Sequence, residues 1–187
     1  MAARPSIDAL KAGDSAAWAW LMETFAGQIA GYARRMGCSD PEDITGATLE
    51  AVARGIGGFF GSHAQLRSWV FTIAHGRIVD DVRRRQRRPE VELAGVDEVA
   101  SDPWEHTPLV GQSLSDVEDP DLEAALAQLT DDQRSLLHLR HVVGLSTKEI
   151  AAATDRSEVA TRVALHRSSK RLRELLAASS SVSVGAA

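Results

Sequence analysis

Arg162, His166, Arg167, Lys170, Arg171 and Arg173 fall within the stretch "SEVATRVALHRSSKRLRELL". Their spacing puts most of these cations on the outer side of a helix whose buried face would be marked by Leu165, Leu172 and Leu176. An Arg fork can bond the edge of a guanine, and the remaining cations can grip phosphates, so the chemistry on offer is recognition of a polyanion. A solvated amphipathic helix is the commoner reason for charges on a helix. The preceding residues shift the balance: in "STKEIAAATDR", Ser146 and Glu149 stand as a capping box, and a tight turn follows near "TDR". A short capped helix, a turn and a longer basic helix capped by Ser157 make a helix-turn-helix, whose second helix enters a DNA major groove.

A second basic cluster has aromatic residues ahead of it. "FFGSHAQLRSWVFTIAHGRIVDDVRRRQRR" places Phe59, Phe60, Trp69 and Phe71 before a run of Arg. Exposed rings beside cations suit unstacked single-stranded bases, whereas core packing is expected for at least half of these rings. In the same stretch His75, Asp80 and Asp81 lack further ligands at an obvious spacing, and an Asp pair beside Arg residues is more simply internal charge balance. Cys38 is the single cysteine, which leaves no intrachain disulfide and no multi-cysteine zinc site. A free thiol in a reducing compartment is the expectation, with no cofactor and no metal implied.

The elements that must carry these clusters are helical. Of 187 residues 44% are hydrophobic, enough for packed cores, and the net charge of -5 conceals a segregation. Residues 83–88 hold five Arg and no acid, residues 89–121 hold ten acids and no base, and residues 156–176 hold six bases against two acids. Such a pattern bears on partners rather than on fold. No apolar run is long enough to cross a bilayer and the first residues lack a signal-peptide core, so a cytoplasmic protein is expected. Trp18, Leu21, Met22, Phe25, Ile29 and Tyr32 line one face of a first helix between Asp14 and Gly37. Asp40 and Pro41 open a second helix, ended by the glycines at 55, 57 and 58. A third runs from about Leu66 toward Arg88, with Val70, Ala74, Ile78 and Val82 on one face. After a linker come "LEAALAQL", then "TDDQRSLLHLRHV" with Thr130 and Gln133 as a capping box, and then the helix-turn-helix ending near Leu176.

Taken together, these segments resemble regions two and four of the bacterial RNA polymerase sigma factors of the extracytoplasmic-function (ECF) group, in the sigma-70 family. The resemblance covers residues 8–88 and 121–176, and is most specific from "LAQLTDDQRSLLHLRHV" through "SSKRLREL". It implies an all-α chain of two small helical domains: 5–88, which would meet core polymerase and the minus-ten element, and 121–177, which would read the minus-thirty-five element. An acidic linker, 89–120, and a disordered tail, 178–187, complete the expected organisation. The linker would thread into the polymerase, where its charge could mimic nucleic acid.

By the same resemblance, the minus-thirty-five reader comprises Ser157, Glu158, Arg162, Val163, His166, Arg167, Lys170 and Arg171. The melting element comprises His63, Gln65, Arg67, Trp69, Arg77, Arg83, Arg84 and Arg85, with Trp69 as the wedge and "GSHAQ" cupping a flipped base. The polymerase face comprises Asp40, Glu42, Asp43, Ile44, Thr45 and Thr48. Core RNA polymerase and promoter DNA are the implied partners, an anti-sigma factor is a possible third, and no membrane insertion is implied; a monomer is expected when free. The chain departs from the family's pattern at Thr45, Gly46 and Ala47, where a Gln followed by an acid is usual, and at Ala164, where Arg is common. Two rival classes remain open on the residues alone: a stand-alone helix-turn-helix regulator that needs no polymerase, and an enzyme.

Overall fold

A computed structural model describes residues 4–87 and 120–183; the linker and the end of the tail fall outside them. Among the described residues all regular structure is helical. The first half holds α1 (Ile7–Lys11), α2 (Ser15–Arg35), α3 (Pro41–Gly55), a 3-10 turn (Ile56–Gly58) and α4 (His63–Arg87). The second holds α5 (Pro120–Ala127), α6 (Asp131–His141), α7 (Thr147–Ala153) and α8 (Glu158–Ser183). No helix among the described residues is long and apolar enough to cross a membrane.

Helix starts are set by side chains that satisfy the free amides of the first turn. Asp14 accepts from the Ala17 amide at 2.7 Å, and Asp40 accepts from Asp43 at 2.8 Å with Pro41 at the first helical position. Both expected capping boxes form: Thr130 with Gln133, and Ser146 with Glu149. Ser157 Oγ accepts from the Ala160 amide and opens α8. One helix was not expected, α1, although Ser6 caps it by the same device at 3.1 Å. Between α7 and α8 the chain reverses through Asp155 at φ 53°, a left-handed conformation that Asp tolerates better than most residues.

The buried stripe of α2 is Ala17, Leu21, Phe25, Ile29, Tyr32, Ala33 and Met36. Met22, expected on this face, is 48% exposed, because the stripe drifts around the helix over its 21 residues and leaves residue 22 on the flank. Leu66, Val70, Phe71, Ala74 and Ile78 of α4 meet this stripe, and α3 adds Ile44, Leu49 and Val52. The same continuous core takes in Leu136, Leu139, Val143, Leu145 and Ile150 from the second half. Ala125, Leu129, Leu137 and Leu175 form a smaller cluster between α5, α6 and α8. The two halves therefore share a core.

Helix α8 departs from its expected form twice. Its buried positions are Thr161, Ser168 and Leu175, while Leu165, Leu172 and Leu176 are only partly covered. Thr161 and Ser168 bury at no cost in unmet hydrogen bonds, since their hydroxyls donate to the carbonyls of Ser157 and Ala164 at 3.0 and 2.9 Å. The helix also runs on to Ser183, through residues expected to belong to a disordered tail. Ala177 and Ala178 favour helix, and no Gly or Pro intervenes before Gly185.

Gly46 lies inside α3 on its exposed side, where a Cβ would meet nothing within 4 Å. Replacing it removes backbone freedom from the unfolded chain without a clash. Gly46→Ala is therefore expected to stabilise the protein by about 0.5–1 kcal/mol, read as a higher urea midpoint with an unchanged slope.

Candidate nucleic-acid interface

The outer face of α8 presents Ser157, Glu158, Arg162, Val163, His166, Arg167, Lys170 and Arg171 to solvent, all eight residues expected there. Val159 and Val163 are 69% and 44% exposed near the start of the helix, apolar positions with no core to cover them. Lys170 and Arg171 lie 3.8 and 3.9 Å from the Glu174 carboxylate. These contacts are long and exposed, worth at most about 1 kcal/mol, and so are easily given up to a phosphate. Arg162 and Arg167 make no ion pair among the described residues. Ala164, where the family commonly has Arg, packs with Leu165 against the shared core. Behind α8, Arg156 forks onto the Asp132 carboxylate of α6 at 2.5 and 3.1 Å and ties the turn to the helix it leans on.

Helix α4 sorts its aromatic and basic residues differently. Phe71 is fully buried and meets Phe25 edge to face at 6.3 Å. Trp69 is half-buried, stacked on Phe59 with centroids 5.2 Å apart. A Cβ on Gly55 would fall 2.8 Å from the Trp69 ring, so Gly55 exists to let the indole lie against α3. The open ring is Phe60, 85% exposed, with the Lys11 ammonium 4.3 Å from its centroid. Composition could not separate Phe60 from its neighbours; the signal was the 3-10 turn, which swings Phe59 inward and Phe60 out. The loop that follows is held by Gln65, whose Oε1 accepts from the Ser62 amide at 2.7 Å. His63 Nε2 lies 2.8 Å from the Pro5 carbonyl, and its ring meets Trp20 edge-on.

Of the Arg residues, Arg83, Arg84 and Arg85 are exposed, and Asp81 holds the last two. Arg84 Nη2 donates to Asp81 Oδ1 at 2.6 Å, and Arg85 Nε to Oδ2 at 3.1 Å. Burial opposes the charge on Asp81, but these two guanidiniums outweigh it and hold the carboxyl below its usual range. Burial, helped by the Asp81 charge, pushes the Cys38 thiol up to about 11, so it stays protonated and unreactive at neutral pH. Arg67 does not face solvent freely: Nη1 donates to the Val143 carbonyl of the second half at 3.3 Å. Arg77 Nε is buried without a partner among the described residues.

The expected polymerase face divides in two. Asp40, Glu42 and Asp43 are exposed at the start of α3. Ile44, Thr45 and Thr48 are buried instead, the two hydroxyls donating to the carbonyls of Pro41 and Ile44, both at 2.7 Å. The exposed side of α3 therefore carries Asp40, Glu42, Asp43, Gly46 and Glu50, while Ile44, Thr45 and Thr48 face the core.

Comparison with known proteins matches the two halves separately. Residues 21–88 match the Sigma-70 region 2 family, and residues 120–172 match Sigma-70, region 4. Among curated relatives, the ECF RNA polymerase sigma factor SigF of Caulobacter vibrioides is 33% identical over 168 residues, covering 87% of each chain. The ECF RNA polymerase sigma factor RpoE of Cereibacter sphaeroides is 31% identical over 144 residues, covering 75% of this chain and 76% of that one. Among solved structures, CnrH in complex with the cytosolic domain of CnrY aligns over 92% of this chain at a TM-score of 0.63 and 22% identity. RpoE in complex with the anti-sigma factor NepR, from Bartonella quintana, aligns over 84% at 0.62 and 24% identity, which shows a shared fold. The helix-turn-helix, the aromatic-basic helix and the sequence kinship across both halves agree that this chain belongs to the ECF RNA polymerase sigma factors.

Proposed function

We propose that the chain binds core RNA polymerase, directs it to a subset of promoters and helps open the DNA there. The observation that carries this is the outward basic face of α8, presented by a fully capped helix-turn-helix, on a chain that also holds a region 2 half. In this reading α8 lies in the major groove of the minus-thirty-five element, with Arg162 and Arg167 nearest the bases and Lys170 and Arg171 on phosphates. The end of α4, with Arg83 to Arg85, holds backbone beside the minus-ten element. Phe60 and Trp69 offer stacking surfaces to unpaired bases, the loop held by Gln65 lies beside them, and the acidic start of α3 faces the polymerase. The chain itself catalyses nothing; nucleotide addition belongs to the polymerase. Two solved relatives that align over most of this chain are each held by a protein partner, and an anti-sigma partner is proposed here as well.

Replacing Arg162 or Arg167 by Ala is expected to weaken promoter binding by the holoenzyme by about 1–3 kcal/mol where the contact is bidentate to guanine. Loss confined to the cognate sequence marks base reading, and equal loss on all sequences marks a phosphate contact. No loss for either variant would remove α8 as the reader.

Phe60→Ala and Trp69→Ala are expected to leave duplex recruitment intact and to slow strand opening, since each stacked base is worth roughly 1–3 kcal/mol. Permanganate reactivity of thymines in the melted region reports this directly. Normal opening by a folded Trp69→Ala protein would return the indole to a purely structural role on Gly55.

The whole reading is tested by mixing the full chain with core polymerase. Co-migration and promoter-selective transcription are expected, with weak and strongly salt-dependent DNA binding by the chain alone. Tight, specific duplex binding without co-migration would make the protein a stand-alone regulator.

A further inference from the structure

At the junction of the two halves, Tyr32 of α2 is buried and its hydroxyl meets two partners. Ser135 Oγ of α6 lies at 2.5 Å and His75 Nδ1 of α4 at 2.9 Å, and these two are 3.3 Å from each other. On the face of the Tyr32 ring lies the imidazole of His138, also from α6, stacked at 4.4 Å with planes 7° apart. His138 is buried, and neither ring nitrogen has a hydrogen-bond partner among the described residues. A phenyl ring would make the same stack without hiding a donor and an acceptor from water. The imidazole therefore weakens the closed contact in return for a property that a hydrocarbon ring lacks, which is its ability to take up a proton.

The surroundings decide what a proton would do. On α2, Arg34 and Arg35 line the same cleft as His138; on α6, so do Arg134 and His141; and α8 contributes Arg173. Glu123 of α5 is the one acid among the residues lining that cleft. Asp131 is paired with Arg134 at 3.5 Å, and Asp132 is held by Arg156. From α4, His75 faces the Tyr32 hydroxyl. An imidazolium at position 138 would thus be buried, without an acceptor, and beside a row of guanidiniums.

We infer that Tyr32, His75, Ser135 and His138 form a proton-sensitive latch between the region 2 and region 4 halves, which neutral His138 holds shut and protonated His138 releases. Burial, with the Arg35 charge, lowers the His138 pKa to about 3 in the closed form, against the ordinary value of 6.5 once the ring is exposed. His75 is shifted in the same direction, chiefly by burial. A lowered pKa in the closed form means that closing expels a proton. The latch therefore holds fully above pH 6.5 and is lost progressively as pH falls from there toward 3. Between pH 7.5 and 5.5 the ratio of closed to open chain is expected to drop about tenfold from His138 alone. Opening also releases Arg67 from the Val143 carbonyl.

The test uses the full chain in a Cys38→Ala background, with fluorescent labels on added cysteines at the exposed positions Ala53 and Lys148, one in each half. Energy transfer is read in the urea concentration that makes closed and open forms equal at pH 7.5, with helicity followed in parallel. The expected result is a fall of at least tenfold in the closed-to-open ratio at pH 5.5 with helicity retained, and a fall about ten times smaller in His138→Phe, whose remaining response comes from His75. Tyr32→Phe, which keeps the stack and removes the hydroxyl, is expected to open more readily at both pH values while keeping the tenfold response. A response below twofold in the parent chain, an equal response in His138→Phe, or loss of helicity in step with energy transfer would each overturn the latch.

Discussion

The arrangement of the halves depends on one constraint, the need to satisfy a phenol buried in an apolar core. Tyr32 lies amid Leu, Ile and Phe side chains, where an unpaired hydroxyl would cost about 1–3 kcal/mol. Its partners come from α4 and from α6, the latter 103 residues further along the chain. Once Tyr32 is bonded to Ser135, α6 is fixed across α2, and the Arg134 guanidinium reaches the last carbonyl of α2. With α6 placed, Val143, Leu145 and Ile150 follow into the shared core, and α7 settles against α4. Helix α8 packs on α5, α6 and α7 within the second half, so the exposure of its basic face does not depend on the junction.

Charge in this protein divides into pairs that hold structure and groups that wait for a partner. Asp81 is buried and accepts from Arg84 and Arg85 one turn further along the same helix, so it holds those two side chains in place. Glu174 holds Lys170 and Arg171 only loosely, and a phosphate can replace it at little cost. Arg83, Arg162 and Arg167 make no ion pair among the described residues. A DNA backbone that meets these cations gains from counterion release without first breaking strong contacts, which accounts for how an acidic chain can bind a polyanion.

Much of this was legible in the residues. The N-caps of α2, α3, α6, α7 and α8 could be read because each depends on a side chain meeting an amide three residues away, a relation confined to a single turn. The outward cations of α8 could be read for the same reason. One kind of error has a clear cause. Thr45, Thr48, Thr161 and Ser168 are polar by type yet buried, because each hydroxyl is satisfied by a carbonyl four residues back in its own helix. Hydrophobic periodicity passes over such residues, so α8 seemed to bury the leucines beside its true seam. The packing of one half on the other was not legible at all. No spacing within either half states which of several apolar faces will meet, and the deciding residues, Tyr32 and Ser135, are ordinary members of their own helices.

The shared core also limits what the closed chain can do. The minus-ten and minus-thirty-five elements lie about 25 base pairs apart, or roughly 85 Å along B-form DNA at 3.4 Å per pair. A compact chain of this length has a radius of gyration near 16 Å, so a single packed body is about half as long as the distance to be bridged. With α4 and α8 held on one core, both elements cannot be read together. The 32 residues between Arg87 and Pro120 are long enough for the task, since fully extended they reach about 110 Å. On the proposed function, in which α4 and α8 read the two elements together, the Tyr32 contact has to break. On that reading the free energy of the contact is subtracted from the affinity for a site that spans both elements, and a condition that loosens the contact raises that affinity without touching α8.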